Sequence, residues 1–483
     1  MGAVLSLSAT TVILTLVFQL LLHRVRSLDS ADPAVAARLA VDALFARQSA
    51  SLTQARARYS LHNQRAPPPG YDGWYEYVQE HKCLVDEYDQ IQRDFKPFYQ
   101  LAEADPEYFR RMIKRGDRVL GESPAEITFL EIRNGEPFLR GDTAYGGYWP
   151  VTLNKFSAHL PNMTFFMNGR DEPRVAFNYR APGALQHALS LPKDSTPFQI
   201  SPHPTSDFFG TQSGCNAIPM EATGFVSSIN EETGFLLASA KPGFTTDLYP
   251  MLSMSRISPC FSDILVPSEY FYDRSWWSGK FGHPDDIPWD DKEAKAYWRG
   301  MSNGGMIIGD NYRHFARFKL ADLGRAHPDL IDAAITRFAE TLCDESCNRT
   351  AVMAEYNITG NSEAREELYR FKYAIDVDGT TFSGRYLGLL RSGSLVFKAT
   401  VFEEYFNDWL RPFEHYIPVN ADLSNLPQRI RWANANPEEA RRIQQRGLEV
   451  ARRVLTDEQN DCYFLLVLLE WARLQESAHG LSA

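Results

Sequence analysis

The residues best suited to chemistry lie between positions 373 and 385. Tyr373, Ile375 and Val377 alternate as in a buried strand. The turn that follows contains Gly379, Thr380, Thr381, Phe382, Ser383 and Gly384 and leads to Arg385. Backbone amides and small hydroxyls of such a turn can face phosphate oxygens, and a guanidinium matches paired oxygens. The pattern predicts a diphosphate site, although a strand-to-helix crossover with a surface arginine uses the same residue types.

A second arginine lies in a similar setting upstream. Trp298-Arg299-Gly300 ends a run typical of a strand, and a second loop follows with Ser302, Asn303, Gly304 and Gly305. Arg299 is therefore a second candidate for the diphosphate. The alternative is structural, because a buried arginine at a strand end can also brace a carboxylate.

Transfer of a group to a hydroxyl also needs a base to accept the hydroxyl proton. Asp171 follows the apolar run 163–167 and should lie at the mouth of a strand. An aspartate before Pro173 is equally typical of a turn. Glu172 is the neighbouring candidate for the base.

Two further polar groups have both a chemical and a structural interpretation. Asp376 and Asp378 have the D-x-D spacing with which metal-dependent transferases hold a divalent cation against a diphosphate. We favour carboxylates that cap the next turn, because arginines already supply the positive charge, and we expect no metal.

His415 fits a ligand contact or a hydrogen-bonded core histidine.

The second half of the chain has the regular pattern needed to position these residues. Strand candidates at 294–299, 330–337, 372–377, 394–399 and 415–419 alternate with helical stretches, among them 437–455. This alternation predicts a parallel sheet with helices on both faces and the ligand at the carboxyl ends of the strands. In the first half, the apolar runs within 127–139 flank Asn134-Gly135 and predict a β-hairpin.

Composition predicts a folded protein of two or three domains. The chain has 483 residues, of which 44% are hydrophobic. The net charge of −11 argues against nucleic acid as the main partner, because that needs a basic footprint. A small anion held by a few arginines remains compatible with this charge.

The N-terminus predicts a membrane anchor. Residues 3–22 form a stretch without charged residues. This stretch is long enough for a transmembrane helix and longer than the apolar core of a typical signal peptide. Arg24 and Arg26 follow this span and favour a cytosolic orientation. Sequons at Asn162, Asn348 and Asn357 and an even cysteine count favour the lumen, which we prefer.

The spacing of the six cysteines leaves their pairing open. Cys343 with Cys347, and Cys215 with Cys260, are candidate disulfides. A zinc site is not predicted, because a second close cysteine pair and clustered histidines are absent from the sequence.

A series of motifs spanning about residues 67–476 resembles glycosyltransferase family 90, which includes the fungal capsule-associated xylosyltransferases and the animal protein O-glucosyltransferases. The motifs are PGYDGW at 69–74, LPNMT at 160–164, RDEP at 170–173, PSEY at 267–270, WRG at 298–300, SGR at 383–385, GSLVF at 393–397, and HYIPV with DLSN at 415–425. The resemblance implies a metal-independent, inverting transferase that uses a UDP-sugar in the secretory lumen.

The resemblance also assigns roles to individual residues. Asp171 occupies the place of the catalytic aspartate in the Arg-Asp-x-Pro motif. The family's arginine beyond WRG corresponds to Arg317, with Arg313 as the alternative. Most relatives have serine after WRG where this chain has Met301, so we expect Ser302 to supply the missing hydroxyl.

These observations predict a GT-B-like α/β protein with two Rossmann-like lobes facing a cleft. We expect a signal anchor at 1–26, a stem at 27–66, an acceptor-side lobe at 67–272, a UDP-sugar-binding lobe at 273–459 and a C-terminal helix at 460–476 that returns to the first lobe. The predicted activity is xylosyl or glucosyl transfer to a glycan or glycoprotein hydroxyl, in the membrane of the endoplasmic reticulum or Golgi. The alternatives are a non-catalytic lectin-like or scaffold protein and a metal-dependent transferase using Asp376 and Asp378.

Overall fold

The fold consists of two five-stranded sheets surrounded by helices. The computed structural model describes residues 32–120, 127–141, 145–175, 177–190, 245, 247–258, 261–274, 287–305, 307 and 309–476. The first sheet lies within residues 127–265 and the second within residues 293–419. Mixed α/β architecture is therefore confirmed.

The second sheet is entirely parallel. Its strands are β6 (Glu293–Met301), β7 (Ile331–Arg337), β8 (Phe371–Val377), β9 (Leu395–Ala399) and β10 (Ile417–Val419). They lie in the order β10-β9-β8-β6-β7, and all neighbours run parallel. The five predicted strands are thus confirmed within a few residues. The strand order reverses between β6 and β8, and such a reversal leaves a crevice for a ligand at the strand ends.

The helices of this lobe follow the expected alternation with strands. They are α8 (Ala316–Ala326), α9 (Arg349–Glu355), α10 (Tyr386–Arg391), α11 (Leu426–Ala435) and α12 (Pro437–Arg453). The last of these confirms the helix predicted at 437–455. Pro437 occupies its first position, where a missing N–H costs nothing, and Glu438 and Glu439 lie in its first turn.

The first sheet is mixed. Its strands β1 (Ile127–Arg133), β2 (Glu136–Arg140), β3 (Met163–Asn168), β4 (Leu252–Ser253) and β5 (Ile264–Leu265) lie in the order β2-β1-β3-β4-β5. β1 pairs antiparallel with β2 and β3, whereas β3, β4 and β5 are parallel. The predicted hairpin is confirmed, because Asn134 and Gly135 both have positive φ, as a two-residue primed turn requires. This lobe is therefore less regular than a Rossmann lobe.

Helices cover the first sheet. They are α1 (Pro33–Ala46), α2 (Leu52–Asn63), α3 (Tyr71–His81), α4 (Asp89–Ala104), α5 (Tyr108–Leu120), α6 (Trp149–Leu153) and α7 (Ala184–Ser190). The first two occupy most of the segment predicted as a stem. They pack on the folded body, since Asp42 pairs with Arg453 at 2.7 Å and the Tyr59 hydroxyl donates to Glu470.

The last helix, α13 (Asp457–Glu476), returns to the first lobe. Nearly all its residues from Gln459 to Leu474 are buried, and the run from Cys462 to Leu469 is apolar on all sides, as expected for a helix in a core. The Trp74 indole donates to the Cys462 carbonyl at 2.9 Å, and a disulfide joins Cys83 to Cys462. A single helix at the end of the chain therefore completes the core built at its beginning.

Two predictions about the covalent and membrane context have different outcomes. The local Cys343–Cys347 disulfide is confirmed, whereas Cys215 and Cys260 lie outside the described residues. The predicted anchor at 1–26 also lies outside them. Within the described ranges, no helix is long and apolar enough to cross a bilayer.

Candidate active site

A cavity of about 410 Å³ opens at the carboxyl ends of β6 and β8, where the strand order reverses. Its lining contains five arginines and one carboxylate, Glu363; the arginines are Arg299, Arg317, Arg337, Arg365 and Arg385. This local positive excess contrasts with the chain's net charge of −11. The cavity is therefore suited to an anion.

Arg385 is fixed at one side of this cavity. It immediately precedes α10, and its Nη1 donates to the Arg299 carbonyl at 2.7 Å. Its Nη2 is buried and has no hydrogen-bond partner. Burial lowers the pKa of the guanidinium, because the charged form loses hydration. An anion in the cavity would supply the missing partner.

Arg317 lies beside Arg385. Its Nε donates to the Asp378 carbonyl at 3.1 Å and its Nη1 to the Met301 carbonyl at 3.0 Å. Burial and the charge of Arg385 lower the Arg317 pKa to about 9. Neither arginine forms an ion pair with a carboxylate in the described part of the chain. Both guanidiniums lie over the Trp298 ring, 5.5–5.7 Å from its centre.

Arg299 occupies a different environment. It pairs with Asp332 at 2.8 Å and with Glu363 at 2.8 Å, so its charge is already neutralised. This is the structural role considered for it as the alternative to diphosphate binding. Its backbone carbonyl nevertheless holds Arg385 in place, which gives Arg299 a supporting role at the cavity wall.

The structure also distinguishes Arg313 from Arg317, the two arginines considered beyond the WRG motif. Arg313 is exposed and forms an ion pair with Glu355 on the protein surface. Arg317 is the one that reaches the cavity. The preference for Arg317 thus agrees with the geometry, while its role in binding the donor stays a prediction.

The turn after β8 approaches its neighbours closely. A side chain at Gly379 would lie 2.8 Å from Arg317 Nη2, and one at Gly384 would lie 2.7 Å from the Tyr270 ring. The Gly379 amide donates to the Thr381 carbonyl at 2.8 Å, which closes the turn. Ser383 lines the cavity, and its buried hydroxyl has no hydrogen-bond partner. Both glycines are therefore required for packing of the turn.

The other residues of this turn face elsewhere. Thr380 is half-buried and Thr381 is buried, and neither lines the cavity. The Phe382 ring packs between Tyr270 and Phe271, with ring centres 5.8 and 5.9 Å away. Thr380, Thr381 and Phe382 could therefore contact a donor only through their backbone, which is the contact predicted for this loop.

Ser302 is not brought to the cavity. It is fully buried, and its hydroxyl accepts a hydrogen bond from the Ala339 amide at 2.8 Å. The structure therefore assigns Ser302 to bracing the end of β6, in contrast to the contact expected for it. Asn303, the next residue, does line the cavity and has a buried Oδ1 without a partner.

Asp171 lies outside the lining of this cavity, in the turn after β3. Asn168 organises this turn: its Oδ1 accepts from the Arg170 amide at 3.0 Å, and its Nδ2 donates to the Glu172 carbonyl at 2.6 Å. The turn-forming role considered for Asp171 thus belongs to Asn168. The Asp171 carboxylate is left to accept a hydrogen bond from the Tyr145 hydroxyl.

A chain of hydroxyls connects Asp171 to the arginine-lined cavity. The Tyr145 hydroxyl lies 3.1 Å from the Tyr270 hydroxyl, and Tyr270 lines the cavity against Gly384. Burial and the neighbouring Glu172 raise the Asp171 pKa to about 6, and the Tyr145 hydrogen bond opposes this rise. A carboxylate with such a pKa can accept a proton near neutral pH.

The D-x-D pair is engaged in contacts within the second lobe. Asp376 lies 3.3 Å from the buried Lys398 ammonium, which also pairs with Glu404. Asp378 accepts from the Val401 amide at 2.9 Å, and its burial raises its pKa to about 7. In the described ranges, no group of three His, Cys, Asp or Glu side chains is placed to hold a metal. The expectation of no metal stays a prediction.

His415 is a core histidine. Its Nδ1 accepts from the Arg411 amide at 2.8 Å, and burial lowers its pKa to about 4. It does not line the cavity. A contact between His415 and a donor is thus not supported by the geometry.

Sequence reasoning missed several residues of this site. Tyr145 and Glu363 gave no signal, because each acts through a contact that is distant in the chain. Asn303 was noted only as part of the loop after Trp298-Arg299-Gly300 and received no role. Tyr270 had a signal, since it lies in the PSEY motif that contributed to the family resemblance, but it received no role. The proximity of Tyr270 to Asp171, through the Tyr145 hydroxyl, is visible only in the folded structure.

Comparison with known proteins gives one matching family model. Residues 282–479 match the model of Glycosyl transferase family 90, which confirms the resemblance over the second lobe and the C-terminal helix. Asp171 and the rest of the first lobe lie outside this match.

Curated relatives match over a similar length. Protein O-glucosyltransferase 2 of Danio rerio is 33% identical over 195 residues, which is 40% of this chain and 35% of that protein. Protein O-glucosyltransferase 3 of Homo sapiens is 30% identical over 193 residues, or 39% and 34% of the two chains. Protein O-glucosyltransferase 1 of Homo sapiens is 29% identical over 191 residues, or 38% and 43%. The match therefore spans about a third of the length of the first two relatives.

Proposed function

We propose that this chain, which belongs to glycosyltransferase family 90 through residues 282–479, is an inverting glycosyltransferase that uses a UDP-sugar. The observation that carries the proposal is the cavity between β6 and β8, with five arginines and one carboxylate in its lining. Arg317 and Arg385 lie there without carboxylate partners in the described part of the chain. A diphosphate has the charge and the paired oxygens that such guanidiniums bind.

The two sides of the cleft would divide the chemistry. Asp171 would accept the proton of the acceptor hydroxyl as its oxygen attacks the anomeric carbon of the sugar. The bond from that carbon to the diphosphate would break, and UDP would leave with the electron pair. Arg317, Arg385 and the loop amides would stabilise the charge on UDP. Attack from the face opposite the leaving group inverts the anomeric centre.

A GT-B-like arrangement, with donor and acceptor residues in different lobes, would fit this division of the chemistry. Contact between the lobes supports it, because the Tyr270 ring packs against Phe382 and leaves no room for a side chain at Gly384. The relatives are named protein O-glucosyltransferases, which favours glucose, and xylose is the second candidate from the family resemblance. The acceptor is a hydroxyl of a glycan or glycoprotein, and the location is the lumen of the endoplasmic reticulum or Golgi, with the predicted N-terminal anchor in the membrane.

A donor screen tests the proposal. Purified protein is incubated with the UDP derivatives of glucose, xylose, galactose and glucuronic acid, and UDP release is measured with and without glycoprotein acceptors. One sugar should give release well above the others, and Asp171→Asn should abolish most of it. UDP binding without release from any donor would instead support the non-catalytic alternative.

A further inference from the structure

A second and larger cavity of the described protein lies apart from the arginine cluster. Its volume is about 1570 Å³, and its walls come from the ends of α2 and α13, from α4 and α5, and from residues 162–164 at the start of β3. Asp171 follows the other end of β3, so the six-residue strand separates the two sites by about 20 Å. The two cavities share no lining residue.

The walls of this distal cavity are rich in groups that bind sugar hydroxyls. Carboxamides both donate and accept hydrogen bonds. Those in the lining are Asn63, Gln64, Gln92, Gln100, Asn162 and Gln475. Arg65 and Tyr99 add a guanidinium stacked on an aromatic ring, 3.7 Å from its centre.

A buried carboxylate holds these walls in place. Glu470 accepts from the Tyr99 hydroxyl and, at 3.1 Å, from Gln92 Nε2. Gln92 in turn accepts from Arg65. The wall is therefore ordered before any ligand arrives, which lowers the entropic cost of binding.

Asn162, at the rim, is also the acceptor asparagine of the first sequon. It is exposed, and its Oδ1 accepts from the Asn134 amide at 2.7 Å. This bond uses the oxygen and leaves Nδ2, the atom that carries an N-linked sugar. Thr164, which completes the sequon, lines the same cavity.

We propose that the distal cavity holds the N-linked oligosaccharide of Asn162, packed against α4, α5 and α13. Ordinary ligand cavities measure about 300–1,000 Å³, so the volume admits the first several sugars of such a chain. The inference rests on the lumenal location included in the proposed function. Asn348 and Asn357 are exposed sequons outside this cavity and provide matched controls.

The test is site-resolved enzymatic deglycosylation of the full chain made in a eukaryotic host. Native protein is treated with peptide N-glycosidase, and release at each asparagine is followed by mass spectrometry. Release at Asn162 should be at least about ten-fold slower than at Asn348 and Asn357, because it requires local opening, and should become equal after denaturation. Equal rates in the native protein would overturn the inference.

Loss of the glycan should also lower Tm. Asn162→Gln and Thr164→Ala both remove the glycan, but each removes a different hydrogen bond of the protein. Thr164→Ser keeps the sequon and serves as the glycosylated control. Both glycan-free variants should melt about 2 °C or more below Thr164→Ser, whereas Thr350→Ala, which removes the glycan of Asn348 but keeps the Asn348 side chain as a helix cap, should match wild type. If Asn162 is unmodified while Asn348 and Asn357 carry glycans, this inference is refuted but the lumenal location is not. Three unmodified sequons would refute the lumenal location as well, while UDP release would still test the transferase activity separately.

Discussion

The arginine-lined cavity and the turn that contains Asp171 differ in how they hold their functional groups. On the second-lobe side, Arg385 and Arg317 donate only to backbone carbonyls and keep their charge available. On the first-lobe side, Asp171 is held by the hydroxyl of Tyr145 within a turn organised by Asn168. The first arrangement suits an anion that arrives and leaves with each cycle, and the second suits a carboxylate that must keep one position while it accepts and releases a proton.

A similar contrast exists among the arginines themselves. Arg299 lies within the same cavity but is paired with Asp332 and Glu363. Identical side chains in the lining of one cavity thus have different expected roles, and the presence of carboxylates distinguishes them. The following predictions test this division, beginning with the largest expected effect.

Replacing the proposed base should have the largest consequence. Asp171→Asn keeps the size of the side chain but removes its ability to accept the acceptor proton, so turnover should fall by about a hundred-fold or more. UDP affinity, measured by calorimetry, should stay near that of wild type, because Asp171 does not line the arginine-rich cavity. Turnover within a few-fold of wild type would exclude Asp171 as the base.

Replacing an arginine of the donor side should weaken UDP binding. Arg385→Lys keeps the charge but loses the fork, which should cost about 1.5–3 kcal/mol of binding free energy. The melting temperature should change little, since the Arg385 guanidinium makes one hydrogen bond, to a carbonyl, and has a buried Nη2 without a partner. Unchanged affinity with a large fall in Tm would make Arg385 structural.

Arg299→Lys provides the matched comparison. Its partners are two carboxylates, so we expect lower stability and a smaller loss of UDP affinity than for Arg385→Lys. Calorimetry and melting curves on both variants measure the difference. If Arg299→Lys weakens UDP binding more than Arg385→Lys, the division drawn among the arginines is incorrect.

The hydroxyl chain should be visible in the pH dependence. The Tyr145 hydrogen bond stabilises the ionised Asp171, so it lowers a pKa that burial raises. Activity should therefore fall as pH drops through about 6, and Tyr145→Phe should move this acid limb to higher pH. The measurement is kcat/KM against pH for both proteins.

Tyr270→Phe, which removes the next hydroxyl of the chain, is the control and should move the acid limb less. A Tyr145→Phe profile that superimposes on wild type would show that this bond does not tune the base.

Removal of metal ions should have the smallest effect. Asp376 and Asp378 already contact Lys398 and the Val401 amide, and arginines provide the positive charge of the cavity. Activity should survive excess EDTA. Inactivation by EDTA with rescue by manganese would restore the two aspartates as metal ligands.

The sequence predicted the second lobe more completely than the first. Strands there are separated by helices at every connection except that between β9 and β10, so the pattern of strand-like runs and helical stretches placed all five strands of the parallel sheet. In the first lobe, β4 and β5 have only two residues each, which is too short for periodicity to reveal. The hairpin was an exception, because Asn134-Gly135 specifies its turn locally.

The same distinction applies to the site. Local sequence identified Asp171, Arg385 and the glycine turn, since spacing after an apolar strand and residue type determine those candidates. Tertiary structure decided the rest: it buried Ser302, neutralised Arg299 with Asp332 and Glu363, and brought Tyr145 to Asp171. The charge available on a side chain depends on which groups fold against it, and those groups lie too far along the chain for local patterns to indicate.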